Sequence, residues 1–464
     1  MQAAQNQLIT RIGPGTPCGE LMRRYWQPVA LLAEFDVQFD PRMQGRPLKA
    51  VRLLGQDLVL FQDGQNRWGL LDRDCPHRGA DLAFARREAD GIRCPFHGWK
   101  FDVNGRCLET PAEPPVHGKA STLCQRVKQR SYPVRLVAGV LFAWLGPEHM
   151  TPPELPAFDC FAAPPSHSFV FKGIWNGNWL QAFEVGIDPA HPSFLHRYLS
   201  DADSQDASEH DNPAGRQFRS NSAGQVNGEA WPMTRVMREF CAPEIQFEEV
   251  APGLTRLIAL RAINDELMHV RVTHAAFPHT FVIPLSPTVS ITQMHAPIDD
   301  THTAWYSLFT SYAGPLDHHA MRQQRLQGTT LPDYVPRMGR HNAWGFDREE
   351  QQHRTFLGMG EEDINVHDQW AVESMGAVAD RTREHLGSSD KVIMANRRTL
   401  LKAIATVQSG GTPPMVLDAS VPQALQGPDT VDCFAPRAGW QAFWQAQASA
   451  KRAAAAWLQS APAA

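Results

Sequence analysis

Between residues 47 and 145 apolar and polar positions alternate in short runs broken by turn residues. Lys49-Ala50-Val51-Arg52-Leu53-Leu54 and Asp57-Leu58-Val59-Leu60-Phe61 read as strands on either side of a Gly-containing break. Asp63-Gly64 and Asn104-Gly105 are hairpin signals, because type I′ turns require positive φ. The most apolar run, Val134 to Leu145, carries an arginine and is too short to cross a membrane, so it reads as buried strand. A proline-rich stretch, Thr151-Pro152-Pro153-Glu154-Leu155-Pro156 with Pro164-Pro165 beyond it, predicts a linker and a domain boundary near residue 150.

Past that linker the pattern is mixed. Residues 178–199 have helical periodicity interrupted by Pro189 and Pro192, and residues 200–228, rich in Ser, Asp, Asn and Gly, predict a long mobile loop and a candidate lid. Strand patterns return at 254–261 and 267–273. In the second, alternation puts Met268, Val270 and Val272 on one face and His269, Arg271 and Thr273 on the other. Ser389-Asp390 predicts a helix start, Ile393, Leu400, Ile404 and Val407 share one helical face, and the Ala-rich tail from Trp440 to Leu458 is helical. The expected fold class is α+β. An all-β domain with an N-terminal extension occupies 1–150, and an α+β domain over 151–464 has an antiparallel sheet flanked by helices.

With 464 residues there is room for more than one core, and 43% apolar with 20% charged residues excludes a mostly disordered chain. The net charge of -5 offers no basic field for nucleic acid, and no run of about 18 apolar residues predicts a membrane span. The first seven residues lack a secretory pattern. Eight cysteines in so long a chain are too dilute for a disulfide framework, so the expectation is a cytoplasmic protein with reduced thiols.

Two cysteine clusters change that picture. Cys75-Pro76-His77 and Cys94-Pro95-Phe96-His97 form C-x-H, sixteen residues, then C-x-x-H. Zinc fingers pair like ligands at short spacing, whereas each cluster here mixes one thiolate with one imidazole. That mixture suits a 2Fe–2S centre with two cysteines on one iron and two histidines on the other. The stretches CPHRGA (75–80) and CPFHGWKFD (94–102) resemble the Rieske domain of aromatic-ring-hydroxylating oxygenases, which implies Cys75, His77, Cys94 and His97 as ligands of a Rieske 2Fe–2S cluster.

The same resemblance extends to Asp188-Pro189-Ala190-His191-Pro192-Ser193-Phe194-Leu195-His196, a D-x₂-H-x₄-H pattern, and to residues 367–376, HDQWAVESMG. It implies a mononuclear Fe(II) held by His191, His196 and a distant carboxylate. Asp368, five residues before the Glu of ESMG, is the choice, with Asp363 as rival and His367 in a supporting or structural place. On a straight helix residues five apart point about 140° away from each other, so Pro192 would have to kink or restart the helix for both histidines to reach one metal. Asp188 is implied as the catalytic relay. It would bond a cluster histidine, His77 or His97, of a neighbouring subunit while its other side holds His191. Glu184 is given only support.

The resemblance, nearest to the phthalate 4,5-dioxygenase and aryl O-demethylase branch, covers most of the chain. It implies a terminal oxygenase component that puts one or both atoms of O₂ into a small aromatic acid. No G-x-G-x-x-G or flavin module is present, so electrons from NAD(P)H would come through a separate flavin/iron–sulfur reductase. Homotrimers, or stacked trimers forming a hexamer, are implied. A substrate carboxylate would want a basic partner, yet Arg256, Arg261 and Arg271 each read most simply as exposed strand residues. The other readings are an electron-transfer Rieske protein with an inert C-terminal domain, and a zinc-binding interaction module.

Overall fold

The most apolar run of the sequence folds back on itself. Val134–Val137 and Val140–Trp144 are antiparallel strands turned at Ala138 and Gly139, both with positive φ (49° and 77°), and Trp26–Leu31 pairs with the second strand. The computed structural model describes residues 1–115, 121–201, 222–360, 364–418 and 427–460. The chain divides into two units. Ile12–Pro153 with Ala296–Asp299 forms one, and Met1–Arg11, Glu154–His295 and Asp300–Ala464 form the other.

The smaller unit is built from β-sheet. One four-stranded sheet joins Leu48–Leu53, Gln56–Gln62, Trp68–Asp72 and Ser131–Tyr132; another joins Arg86–Glu88, Gly91–Arg93, Lys100–Phe101 and Cys107–Glu109. Between them Val59, Phe61, Leu71, Ile92, Trp99 and Phe101 close over Cys75 and Cys94. The two expected turns form, but for partly different reasons. Gly105 has φ 75°, as the hairpin signal requires. At the Asp63-Gly64 turn the left-handed residue is Asn66 (φ 61°), while Gly64 is needed because a Cβ would lie 2.6 Å from Ala89 Cα. In both turns the aspartate does the folding: Asp63 accepts from the backbone N–H of Gln65 and Arg67, and Asp102 from Asn104 and Arg106.

An antiparallel sheet of eight strands belongs to the larger unit except for Ala296–Asp299, the last residues of one strand. The strands are β1 (Ser168–Trp175), β2 (Glu244–Ala251), β3 (Leu254–Ala262), β4 (Leu267–Ala276), β5 (Thr280–Pro284), β6 (Val289–Asp299), β7 (His302–Ser311) and β8 (Val431–Pro436). Their order is β1-β7-β6-β5-β4-β3-β2, with β8 added beside the first half of β4. Alternation along β3 and β4 sorts side chains between two faces. Ile258, Leu260, Val270 and Val272 pack on Trp440, Trp444 and Ala448 of a C-terminal helix. The opposite face carries Leu257, Ala259, Arg271 and Thr273.

The helices include α1 (Ala3–Thr10), α2 (Trp179–Gly186), α3 (Pro192–Leu195), α4 (Ile364–Ser374), α5 (Lys391–Gln408) and α6 (Trp440–Ala454). The loop expected over 200–228 is shorter than its composition suggests. Residues 202–221 lie outside the described residues, but Ser222–Val226 and Glu229–Pro232 pair as a hairpin whose Val226 is buried with Met233, Val236 and Phe434. Among the described residues no helix is long and apolar enough to cross a membrane.

Candidate metal centres

Cys75–Ala80 and Cys94–Trp99 are two copies of one turn. In each, the cysteine N–H donates to the carbonyl five residues on (Ala80 and Trp99, 2.8 Å both). The glycine four residues on donates back to the cysteine carbonyl (Gly79, 2.8 Å; Gly98, 3.1 Å). Both glycines have φ 75°, where a side chain would be strained. The copies differ in where the histidine sits, two residues after Cys75 but three after Cys94. That offset brings the His77 and His97 rings to 4.4 Å between centroids, and His77 stacks on Trp99 at 4.4 Å. Burial, with the Cys94 thiol close by, pushes the Cys75 thiol up to about 11. His97 Nδ1 is buried with no hydrogen-bond partner among the described residues.

The second centre starts from α2, capped by the Asn178 side chain on the Leu180 N–H (3.2 Å). The helix stops at Gly186, where a Cβ would lie 1.9 Å from the Phe281 ring. The chain then turns. Asp188 Oδ1 accepts from the Ala190 N–H (2.8 Å), and the Asp188 carbonyl accepts from His191 Nδ1 (2.8 Å). It is this carbonyl that holds His191; the Asp188 carboxylate stands at 3.9 Å. Helix α3 restarts at Pro192, so His191 and His196 sit at either end of one short turn with ring centroids 5.2 Å apart. Arg261 straps this segment down: it donates to Phe240 O (2.9 Å) and reaches Pro189 O and Ser193 Oγ at 3.5 Å.

Asp368 arrives on α4, nearly two hundred residues later in the chain. Gln181 of α2 bolts the two helices together. Its Nε2 donates to Val372 O (2.8 Å) and Gly376 O (2.7 Å), and its Oε1 accepts from the Ala379 N–H (2.8 Å). Glu373, buried, accepts from the Asn176 N–H (2.9 Å), Trp344 Nε1 (2.8 Å) and Gln369 Nε2 (3.1 Å). Asp368 Oδ1 then lies 3.3 Å from His196 Nε2 and 3.8 Å from His191 Nε2. One ligand atom from each of His191, His196 and Asp368 falls within 4.8 Å of the others, a spacing that a metal ion fits. Asp363 lies outside the described residues. His367 Nδ1 is 3.0 Å from His196 Nδ1. Burial, then the charge of Arg271, pushes His196 down to about 3, and burial lowers His191 as well, which favours the neutral imidazole in both.

Glu184 faces elsewhere. Its carboxylate binds Arg397 (2.5 and 2.9 Å) and Arg381 (2.9 Å), tying α2 to α5 and to the chain after α4. The expectation of exposed arginines is also corrected. Arg261 is 2% exposed and Arg271 11%. Arg256 pairs with Glu248 (2.7 Å) and covers the Trp444 ring on the far face of the sheet. Of the three, Arg271 lines the cavity of about 80 Å³ beside His191, His196 and Asp368, together with Leu257, Thr273, Phe281 and Ile283. The anchors Gln181, Arg261 and Glu373 were missed by sequence reasoning. A glutamine among Trp179, Leu180, Ala182 and Phe183 was the available signal, because a polar residue inside an apolar helix face needs partners.

Residues 28–132 match the Rieske [2Fe-2S] domain family, and residues 143–443 match the family described as LigXa C-terminal domain like. The phthalate 4,5-dioxygenase oxygenase subunit of Pseudomonas putida is 33% identical over 88% of this chain and 87% of its own. The chain belongs to the Rieske non-haem iron oxygenases. A second relative of this oxygenase is the 5,5'-dehydrodivanillate O-demethylase oxygenase subunit of a Sphingobium strain, 30% identical over 92% of this chain and 86% of its own. Its fold is shared with Pseudomonas putida CBB5 NdmA with caffeine (TM-score 0.56, 16% identity, 86% of this chain and 98% of that one). Dicamba monooxygenase bound to dicamba aligns at TM-score 0.52 with 15% identity, covering 84% and 98%. The protein is therefore the oxygenase subunit of a multicomponent Rieske oxygenase, with the Rieske domain in its smaller unit and the LigXa C-terminal-like domain over most of its larger one.

Proposed function

We propose that this subunit oxygenates an aromatic carboxylic acid of the phthalate type, beside an iron held by His191, His196 and Asp368. In the same reading Cys75, His77, Cys94 and His97 hold the Rieske cluster. The observation that carries the substrate is the position of Arg271. Among the described residues it is the one Arg or Lys lining the cavity, which Leu257, Thr273, Phe281, Ile283 and Ile364 also wall beside Asp188 and the three candidate ligands. The ligand sets are supported by their donors. The three oxygen and nitrogen donors stand at metal-binding distance, and the adjacent thiols with the orphaned His97 Nδ1 suit a cluster of two sulfur and two imidazole ligands.

When bound, the cluster relays electrons delivered from NAD(P)H by a separate reductase, and the iron supplies dioxygen activation. The chain's own residues do the positioning. Asp432 is shared between His269 Nε2 (2.7 Å) and the Arg271 guanidinium, so Arg271 is held in place with further N–H groups able to donate to a substrate carboxylate. Phe281, Leu257 and Ile283 keep water from the ring. The Asp188 carboxylate, about one-fifth exposed, is free of any bond to His191 and suits a contact with His77 or His97 of a neighbouring subunit in a homotrimer or stacked pair of trimers.

A second reading, O-demethylation of a methoxylated acid, is favoured by the name of the Sphingobium relative and differs only in which carbon faces the iron. Product analysis under ¹⁸O₂ with a panel of phthalates and methoxybenzoates decides. Labelled diol supports ring dioxygenation, formaldehyde released together with the demethylated phenolic acid supports demethylation, and recovery of every acid unchanged removes the proposal.

A further inference from the structure

The cavity beside the candidate iron ligands is too small for its purpose. About 150 Å³ is needed to enclose a benzene ring, and this one has about 80 Å³. A second cavity of about 150 Å³ adjoins it, and the side chain common to both linings is Ile187, the first residue beyond α2. The sheet beneath is continuous. Ala259/Arg271, Leu257/Thr273 and Thr255/Ala275 are successive cross-strand pairs of β3 and β4 on one face. The first two pairs floor the iron-side cavity and the third floors its neighbour. Four residues of extended strand separate Arg271 from Ala275, which is about 13 Å. A benzoate spans roughly half that length, and a biphenyl carboxylate most of it.

The far compartment is not simply apolar. Phe183, Phe247 and Val392 wall it, but Asn396 of α5 turns its side chain into it, and the Asn396 Nδ2 is buried with no hydrogen-bond partner among the described residues. A buried amide donor left without a partner is unfavourable, so a ligand that supplies an acceptor there gains what the free protein forgoes. Glu249 lines the same space, which disfavours a second carboxylate and favours a neutral oxygen such as a phenol or ether.

We propose that the two cavities are one substrate groove partitioned by Ile187, built for an aromatic acid with a second, oxygen-bearing ring. The carboxylate end lies along the Arg271 rung, the reacting ring beside His191, His196 and Asp368, and the second ring between Phe247 and α5, with its oxygen on Asn396. Ile187 sets the length of substrate admitted, because its side chain stands where the two rings join. The inference rests on the oxygenase reading above but concerns length and far-end chemistry, which binding reports without turnover.

The test is anaerobic calorimetry on the iron-loaded, cluster-containing protein with benzoate, biphenyl-4-carboxylate and 4′-hydroxybiphenyl-4-carboxylate. The hydroxybiphenyl acid should bind at least tenfold tighter than benzoate. Ile187→Trp should abolish that preference, and Asn396→Leu should weaken only the hydroxylated probe. If Ile187→Trp loses the visible spectrum of the cluster, Thr255→Phe fills the same compartment from the floor. Equal affinity for all three acids in the unmodified protein, or a length preference that survives filling the compartment, overturns the groove. Length-dependent binding with no ¹⁸O-labelled product from any bound acid would instead overturn the reaction and leave the groove standing.

Discussion

His367 Nδ1 lies 3.0 Å from His196 Nδ1, and the other nitrogen of His367 lies 3.2 Å from the carbonyl oxygen of Gly360. A carbonyl only accepts, so His367 carries its proton on Nε2 and presents a lone pair at Nδ1. His196 must then donate from Nδ1, which leaves the lone pair on its Nε2, the atom 3.3 Å from Asp368. The Asp188 carbonyl sets the same tautomer on His191. Both imidazoles thus have their tautomer set by backbone oxygens, one directly and one through a second histidine, which leaves each Nε2 lone pair free, as the proposed metal site requires.

His367→Phe should therefore lower iron affinity 10- to 100-fold, the usual cost of losing such a partner. His367→Gln, which can still accept from His196, should recover part of it. Iron titration of the metal-depleted protein checks this, with the cluster absorption unchanged in both variants.

The two centres are built from separate stretches of chain and should fail separately. His191→Ala should remove the mononuclear iron and all turnover while leaving the visible and EPR signature of the cluster. Cys75→Ser should remove that signature while iron still binds at the other centre. Joint loss of both metals in either variant would contradict the assignment.

Arg271→Gln should raise KM for aromatic acids about tenfold to a hundredfold, as expected for a charge-assisted contact worth about 1.5–3 kcal/mol. The matching carboxamides should be bound equally by both proteins. Since Asp432 would keep only His269, a parallel Arg271→Gln/Asp432→Asn variant separates a lost substrate contact from a lost structural one.

Glu184 is buried between Arg381 and Arg397. Glu184→Gln leaves two buried cations short of an anion and should destabilise the larger unit by about 3–5 kcal/mol. The melting temperature reads it. A stability close to the parent's would mean the arginines are satisfied by Glu384 alone.

Burial pushes Lys451 of α6 down to about 8, with Asp429, Asp159 and Arg452 as its charged neighbours. An unfolded lysine titrates near about 10.4, so between those values the unfolded chain holds a proton that the folded one has released, and this group's contribution to stability rises with pH. Cys160 and Cys433, both raised to about 12, act in the opposite sense. The clean measurement is the difference between Lys451→Met and the parent. The variant's relative stability should fall from pH 7 to pH 10, and a flat difference would contradict it.

What was legible in the sequence is what lies close along the chain. The C-P-x-x-G turns are closed by bonds spanning four and five residues. Pro192 restarts a helix within one turn of His191, and alternation in β4 places Arg271 and Thr273 on one face and Val270 and Val272 on the other. Even the parity that sends Arg256 to the α6 side of the sheet follows from the period of two. Contacts across long separations were not legible, because nothing in a local pattern says which element will lie opposite. Glu184 shares a helical face with Asp188 in sequence, yet Arg381 and Arg397 claim its charge. His367 is beside Asp368 in the chain, yet its role depends on His196 and Gly360. Only the packed fold decided which arginine meets the cavity, which tautomers the histidines hold, and that Ile187 stands between two chambers on one sheet.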